Sequence, residues 1–362
     1  MIAAFICEER LVAALRLAVD ARTAIEDTRG IGRYLRAVLR RLAPHEDVAL
    51  TLVVGGLSRW GMHDALQRAL GSHRFTIAAR VPRNAEVVWH PANGTFLRSR
   101  VPAVATIHDA VPFRYPPENR ARRRRDQAPF LRSAQTASRI VAVSAFGAEE
   151  IHSVFGVPRD RIEVIYHGVD PSFTPGEMLP HAPLRAGEYF LFVGDPEAEP
   201  RKNFALLYEA YRLAWPQCDG PPIAVAGEKA PELENVVHAG HFSDDLSVQS
   251  NGGLRNLYRG ALALLVPSYH ETFGMPMLEA MACGTPVVAS AASCLPEIAG
   301  EAALFAPPHD ASAWSSAMQR IASDGDERAV LIASGFERAS NFQWKRSAEQ
   351  HLALFRRVAE SR

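Results

Sequence analysis

Short runs of aliphatic and β-branched residues alternate along the chain with longer stretches whose apolar residues recur every three or four positions. The first kind reads as buried parallel strands and the second as helices covering them, so the pattern predicts an α/β fold. Leu15 to Val19 (LRLAV) is the first run, followed by 48–54 (VALTLVV), 86–89, 103–107 (AVATI), 140–143 (IVAV) and 162–165 (IEVI). The series then restarts with 189–193 (YFLFV), 223–226, 236–237, 262–266 (LALLV), 286–289 (PVVA) and 303–305. Between the two series lies a stretch rich in Pro and Gly with no periodicity, which predicts a linker over 171–187. One domain is thus expected over 1–170 and a second over 188–343. Residues 344–362 close the chain as a helix with Leu352, Leu354, Phe355 and Val358 on its apolar side.

A length of 362 residues suits two domains of ordinary size. The net charge is zero, which gives no reason to expect a nucleic-acid partner. The average hides a division, however. The first 170 residues hold 25 Arg, no Lys and 17 acidic residues, and the rest hold the balancing excess of acid. Opposite charges draw the halves together, and a basic half also suits a phosphate-bearing acceptor or an anionic membrane face. Cys7, Cys218, Cys283 and Cys294 form no CxxC pair, which fits a reducing compartment. The apolar start MIAAFIC is too short for a leader or a span, so a cytoplasmic chain, soluble or peripheral on the inner face of the membrane, is expected.

The densest chemistry lies in VPSYHETFGMPMLEAMACGTPVVA, residues 266–289. A buried strand ends at Pro267, and a polar loop carries Ser268, His270, Glu271 and Thr272. Phe273-Gly274 permits a tight backbone approach, and Pro276 suits the first position of a helix that Gly284 ends. A helix start at the carboxyl end of a parallel strand is an anion site, with free N–H groups and a partial positive charge. Glu271 and Glu279 flank it with seven residues between, and a carboxylate accepts two hydroxyl hydrogen bonds as a sugar diol requires. A second cluster follows the restart strand, in GDPEAEPRKNFALLYEAY. Arg201 and Lys202 stand where a helix macrodipole disfavours cations, a conflict that an anionic ligand such as a diphosphate resolves. The acidic loop before them, with Asp195, Glu197 and Glu199, is placed to shift those cations. In the first half, DTRGIGRYLRAVLRRL sets Gly30 and Gly32 before a helix, ten residues beyond Asp20. That is too far for a dinucleotide-binding turn and excludes a dehydrogenase.

This set of motifs resembles the retaining glycosyltransferases of family four, with the GT-B fold, over most of the chain. The resemblance implies two Rossmann-like domains facing across a cleft, with the C-terminal helix returning to the first domain. It implies that Glu271 contacts the transferred sugar and Glu279 the nucleotide ribose. The backbone at Phe273, Gly274 and Met275 would meet the sugar or its phosphates. Arg201 and Lys202 would hold the diphosphate, with Gly30 and Gly32 facing it across the cleft. His108, in the segment HDAVP, matches a histidine near the reacting carbon, and Asp109 beside it and Ser144 match cleft-lining positions. His167 matches the end of the first domain and reads as structural. The segments HDAVPFRYP and YHETFGMPMLEAMACGTPVVAS are most similar to bacterial mannosyltransferases of surface polysaccharide pathways.

The implied reaction is transfer of a hexose, with GDP-mannose the foremost donor, to a hydroxyl of a glycan, a lipid-linked or a small-molecule acceptor. No carboxylate presents itself as a nucleophile, so retention implies same-face attack with the leaving phosphate as base. No DxD motif stands in a donor loop and the cations can replace a metal, so activity without a cofactor or metal is expected. His238 and His241 form HxxH with no third ligand. The arginines 120, 122, 123, 124 and 125 read either as a solvated helix face paired with Asp126 and Glu118 or as a contact for membrane or acceptor. Two alternatives to a transferase are a nucleotide-sugar epimerase on the same fold and a non-catalytic nucleotide-sugar-binding subunit.

Overall fold

The computed structural model describes residues 14–27, 30–55, 62–242 and 253–361. Cys7 and the apolar N-terminal stretch lie outside them. Two all-parallel sheets form the frame. The first holds β1 (Leu15–Asp20), β2 (Val48–Val53), β3 (Thr76–Ala78), β4 (Val87–His90), β5 (Ala103–Ile107), β6 (Arg139–Ala142) and β7 (Ile162–Val164). The second holds β8 (Phe190–Val193), β9 (Ile223–Ala226), β10 (Val236–Gly240), β11 (Ala263–Val266), β12 (Val287–Ser290) and β13 (Leu304–Ala306). Their orders are β3-β2-β1-β4-β5-β6-β7 and β10-β9-β8-β11-β12-β13. In each sheet the order reverses beside its first strand, at β1/β4 and at β8/β11. Crevices for ligands open at the carboxyl ends of such strands.

The expected strands all form, within a residue or a few at their ends. The pattern missed β3, three residues long at the sheet edge and paired to β2 alone, too short to display a period. The central strands are buried on both faces. Leu17, Ala18, Val19, Val87, Val104 and Val141 are solvent-free in the first sheet, as are Phe190, Leu191, Ala224, Leu264 and Val287 in the second. Cys218, Cys283 and Cys294 are buried free thiols.

The closing helix, Trp344–Glu360, leaves the second sheet and packs into the first core. Its Trp344, Leu352, Leu354, Phe355 and Val358 join Leu17, Val19, Tyr34, Leu35 and Trp89 there. Two strands of chain therefore pass between the sheets, one outward near Val169 and one returning near Gln343. They run side by side, joined by the Val169 amide on the Phe342 carbonyl at 2.9 Å. Gly168 allows this crossing. A Cβ there would lie 2.1 Å from the Trp344 nitrogen.

Candidate active site

The second sheet supplies the floor of the site. After β11 the chain turns through Ser268, His270 and Glu271 to Gly274, whose left-handed backbone (φ 77°) starts the helix Met275–Cys283. Pro276 is the second residue of that helix, one place later than the sequence suggested. Met275 takes the first place because Gly274 makes the turn. No side chain caps the helix; Pro276 has no N–H and the Met277 amide donates to the Gly274 carbonyl at 3.0 Å, which leaves the Met275 amide at the helix start. After β8, Gly194 lets the Lys202 stem lie against the backbone, and Pro200–Lys202 forms a 3-10 turn ahead of the helix Phe204–Ala214. Lys202, Ser268, Glu271, Gly274 and Pro276 line one hollow, with Phe192 and Leu265 among its apolar walls.

Charge in this hollow is already arranged in pairs. The Arg201 guanidinium donates to Glu199 at 2.7 Å and lies 3.2 Å from the Glu271 carboxylate. Burial alone would lower its pKa, but Glu271, Glu199 and Asp109 outweigh burial and raise it. Lys202 donates to the Val193 carbonyl at 2.9 Å and sits 3.7 Å from Glu199. The acidic loop thus holds the two cations in place through Glu199. Glu271 also accepts from Ser268 at 3.2 Å, which fixes its carboxylate at the rim of the hollow.

Glu279 lies a turn deeper. Its side chain is 3% exposed, and it accepts from the Tyr258 hydroxyl at 3.0 Å and from Arg33 of the first unit. Each oxygen thus already has a protein partner, so this carboxylate joins the two units across the cleft. Sequence reasoning did not single out Arg33 or Tyr258. Arg33 was legible only as part of GIGRY, because its partner is 246 positions away.

From the first unit, the helix Gly30–Leu42 points its start at the site. Gly30 and Gly32 belong to its first turn and do not precede it. A Cβ on Gly30 would stand 3.0 Å from the Met275 side chain, and one on Gly32 would stand 1.7 Å from the Asp27 carbonyl. These glycines therefore allow close approach of the two units and of the preceding chain. His108 directly follows β5 in a buried setting, edge-on to Tyr34 at 4.8 Å. Its Nε2 faces the Pro91 carbonyl at 2.7 Å, so that nitrogen carries the proton. Burial, partly offset by that hydrogen bond, lowers the pKa of His108. The imidazole is neutral near pH 7. Asp109 is half-buried, accepting from Asn93 at 3.2 Å and from the Val111 amide at 2.9 Å. His167 is buried against the Phe273 and Trp344 rings, 4.6 and 5.5 Å away, which agrees with a structural role. The Phe273 ring is in the core, so only its backbone is left for a ligand.

Ser144 does not line an open cleft. It is fully buried, caps the helix Ala145–Phe155 and donates to the Thr272 carbonyl at 2.6 Å. Around it the two units are stitched together. Glu297 of the second unit accepts from the Ala145 and Phe146 amides at 2.6 and 2.9 Å and from the Tyr166 hydroxyl at 2.9 Å. Glu150 meets His270 at 2.8 Å and Arg114 at 2.8 Å. Burial would raise the Glu150 pKa, but these partners outweigh it and hold the carboxyl below its ordinary range. Sequence reasoning missed Glu150 and Glu297. Each reads as a surface residue of a helix until the facing unit is known.

The remaining expectations fall outside this centre. His238 pairs with the Gly227 carbonyl at 2.8 Å. Arg120–Thr136 is a helix, with Arg122 and Arg125 both near Asp126 and Arg123 bonded to the Pro117 carbonyl.

Residues 28–173 match the family model described as Glycosyltransferase Family 4, and residues 182–338 match that of Glycosyl transferases group 1. O-antigen chain mannosyltransferase B of Escherichia coli is 31% identical over 75% of this chain and 74% of its own length. D-inositol 3-phosphate glycosyltransferase of Actinosynnema mirum is 32% identical over 60% of this chain and 57% of its own. Among solved structures, sucrose-phosphate synthase from Thermosynechococcus elongatus superposes with a TM-score of 0.65 at 19% identity, covering 96% of this chain and all of that one. Anabaena HepE in complex with UDP and glucose superposes with a TM-score of 0.66 at 15% identity, covering 94% and 98%.

Proposed function

Because the chain belongs to the group 1 glycosyltransferases of family 4, two facing Rossmann-like units in the GT-B arrangement, we propose that it moves a hexose from a nucleotide sugar to an acceptor hydroxyl with retention of configuration. The observation that supports this most is the hollow at the start of the Met275–Cys283 helix. There Lys202 and the backbone at Gly274 stand beside Glu271, with Arg201 against that carboxylate. A departing diphosphate gains negative charge as the glycosidic bond breaks, and fixed donors in a half-buried site stabilise that charge most. Glu271 takes the sugar hydroxyls. His108, neutral and with Nε2 bound to a carbonyl, leaves Nδ1 as an acceptor near the reacting carbon rather than supplying a proton. The leaving phosphate receives the proton of the acceptor hydroxyl on the same face, since retention by a carboxylate nucleophile would need one about 5 Å from its partner carboxyl across the sugar.

The donor is GDP-mannose in this reading, following the mannosyltransferase named among the relatives. Glycan, lipid-linked and small-molecule acceptors fit the reaction equally. The cationic pair does the work of a metal, so transfer is metal-independent. The protein works in the cytoplasm. No helix among the described residues is long and apolar enough to cross a membrane, and the exposed arginines of the Arg120–Thr136 helix support peripheral contact with an anionic face.

Thermal-shift titration with GDP, UDP, ADP and dTDP tests the donor. GDP at about 100 times its Kd adds about 2.7 kcal/mol, Lys202→Ala removes most of that gain, and EDTA leaves transfer intact. Stabilisation by none of the four would sink the reading. Turnover of the nucleotide sugar to a new one without acceptor would favour an epimerase instead.

A further inference from the structure

We infer that Glu150 of the first unit, acting through His270, sets the Glu271 carboxylate for transfer, so that the donor site is complete only while the two units are together. The inference rests on the transferase reading above and adds to it a positioning pair, one residue from each unit.

Glu271 lies between two residues that the first unit holds. On one side, the buried His270 ring enters a socket of first-unit side chains. Its Nε2 meets the Glu150 carboxylate at 2.8 Å, and the Phe146 and Tyr115 rings stand edge-on to it at 5.7 and 6.2 Å. On the other side, the Thr272 carbonyl accepts from Ser144 at 2.6 Å. Ser144 caps the helix Ala145–Phe155 and Glu150 stands within it, so a single element grips the loop before and after Glu271. Glu150 is anchored in turn, since Arg114 donates to its other oxygen at 2.8 Å. An ionised carboxylate only accepts, so Nε2 of His270 carries the proton.

The loop passes this grip to the groups of the hollow. The His270 carbonyl accepts from the Arg201 guanidinium at 3.3 Å, and the Tyr269 amide donates to the Arg201 carbonyl at 2.8 Å. Arg201 lies against Glu271, whose own amide donates to Ser293 at 3.0 Å. These last bonds stay within the second unit and survive if the units part. The seat of the His270 ring does not, because every wall of the socket belongs to the first unit. A buried charge is stable only with its partners in place, so the socket favours one seating of that ring. A misplacement of about 1 Å in a group that orients a substrate costs about 100-fold in rate. A donor held by the second unit alone therefore meets a Glu271 that is not yet set, which restrains its hydrolysis until the first unit closes on it.

The test uses the full chain with GDP-mannose and a mannose trisaccharide. Glu150→Ala is expected to lower kcat at least tenfold, with the GDP stabilisation and the donor KM within twofold of the parent and an unchanged radius of gyration. Glu150→Gln, which keeps an acceptor oxygen for His270, should recover most of the loss. His270→Ala should match Glu150→Ala, and the double variant should lose no more than the worse single one, as residues acting through each other do. Amide exchange of residues 268–272 with GDP bound and no acceptor reads the loop directly, whichever sugar is transferred. It should quicken in Glu150→Ala and not in Glu150→Gln. Parental exchange in Glu150→Ala overturns the inference, and so do additive losses in the double variant. A fall in kcat that comes with a larger radius and a raised KM for both substrates makes the pair a mere fastening of the units and overturns it too. Failure of every nucleotide to stabilise the unaltered protein is a separate result. It overturns the transferase reading and the positioning role with it.

Discussion

Glu271 and Glu279 stand eight positions apart and look alike in sequence, yet their surroundings divide their work. Glu271 sits at the rim with Arg201 and Ser268, open to a ligand on one side. Glu279 is enclosed by Tyr258 and Arg33, and its loss takes the carboxylate from a guanidinium that is itself mostly buried. Removing one partner of a buried ion pair costs about 3 kcal/mol, because the remaining charge keeps its desolvation penalty. Glu279→Gln is therefore expected to lower the urea midpoint clearly. Glu271→Gln should leave that midpoint within error and reduce turnover at least tenfold. Equal effects of the two substitutions on both measurements would reject this division. The spacing of the carboxylates was legible because helix and loop chemistry are local. Arg33 was not, because nothing near it in the chain announces a partner on the other unit.

At the level of elements, the closing helix depends on a buried polar relay. The Trp89 indole donates to Thr106, which lies 3.0 Å from the Tyr34 hydroxyl, and Tyr34 lies 2.6 Å from His351 Nε2. His351 Nδ1 faces the Ser347 carbonyl at 2.7 Å and so must donate, which leaves Nε2 to accept from Tyr34. Tyr34 lies solvent-free on the buried side of the Gly30–Leu42 helix, with Leu35, Val38 and Leu39. Its hydroxyl, however, is what locks the Gly30–Leu42 helix to the returning one. Burial, opposed by the Ser347 bond, drops the His351 pKa to about 4, against an unfolded value near 6.5. Below about pH 6.5 the unfolded chain binds the extra proton and the folded chain does not. Stability is therefore full above that pH and declines as pH falls toward 4. His90, also held near 4 by burial, acts in the same sense. His351→Gln should flatten the decline in melting temperature between pH 7 and 5, at the cost of a lower melting temperature at pH 7. An unchanged slope would show that His351 titrates normally. The two series of strands and the return helix were legible because burial on both faces leaves an apolar run. The three-residue β3 and the Gly168 crossing were not, since a close backbone approach leaves no period.

Across the whole molecule, the contacts between the units decide how the crevices of the two sheets face each other. Glu297 holds two amides at the start of the Ala145–Phe155 helix and the Tyr166 hydroxyl, and a carboxylate there also complements the helix dipole. Burial first, and then Glu297 itself, raise the Tyr166 pKa to about 12, so the hydroxyl remains a donor throughout the working range. Hydrogen bonds to a charged group are each worth about 1.5–3 kcal/mol when made, less where solvent reaches them as it does here. A loss of about 1.4 kcal/mol moves an open–closed balance tenfold, enough to change the populated form without unfolding either sheet. Glu297→Ala touches none of the groups in the donor hollow. It should therefore raise the KM for both substrates and enlarge the radius of gyration measured by small-angle scattering, while thermal unfolding of the sheets shifts little. Glu297→Gln, which keeps the acceptor oxygen and loses the charge, should fall between. A normal radius with normal kinetics in Glu297→Ala would mean that the other contacts, among them Arg33–Glu279, Glu150–His270 and Ser144–Thr272, suffice to hold the units. The sequence offered no hint of this contact, because a glutamate on the five-residue helix Leu295–Ala299 looks solvated until the other unit's helix start is set against it.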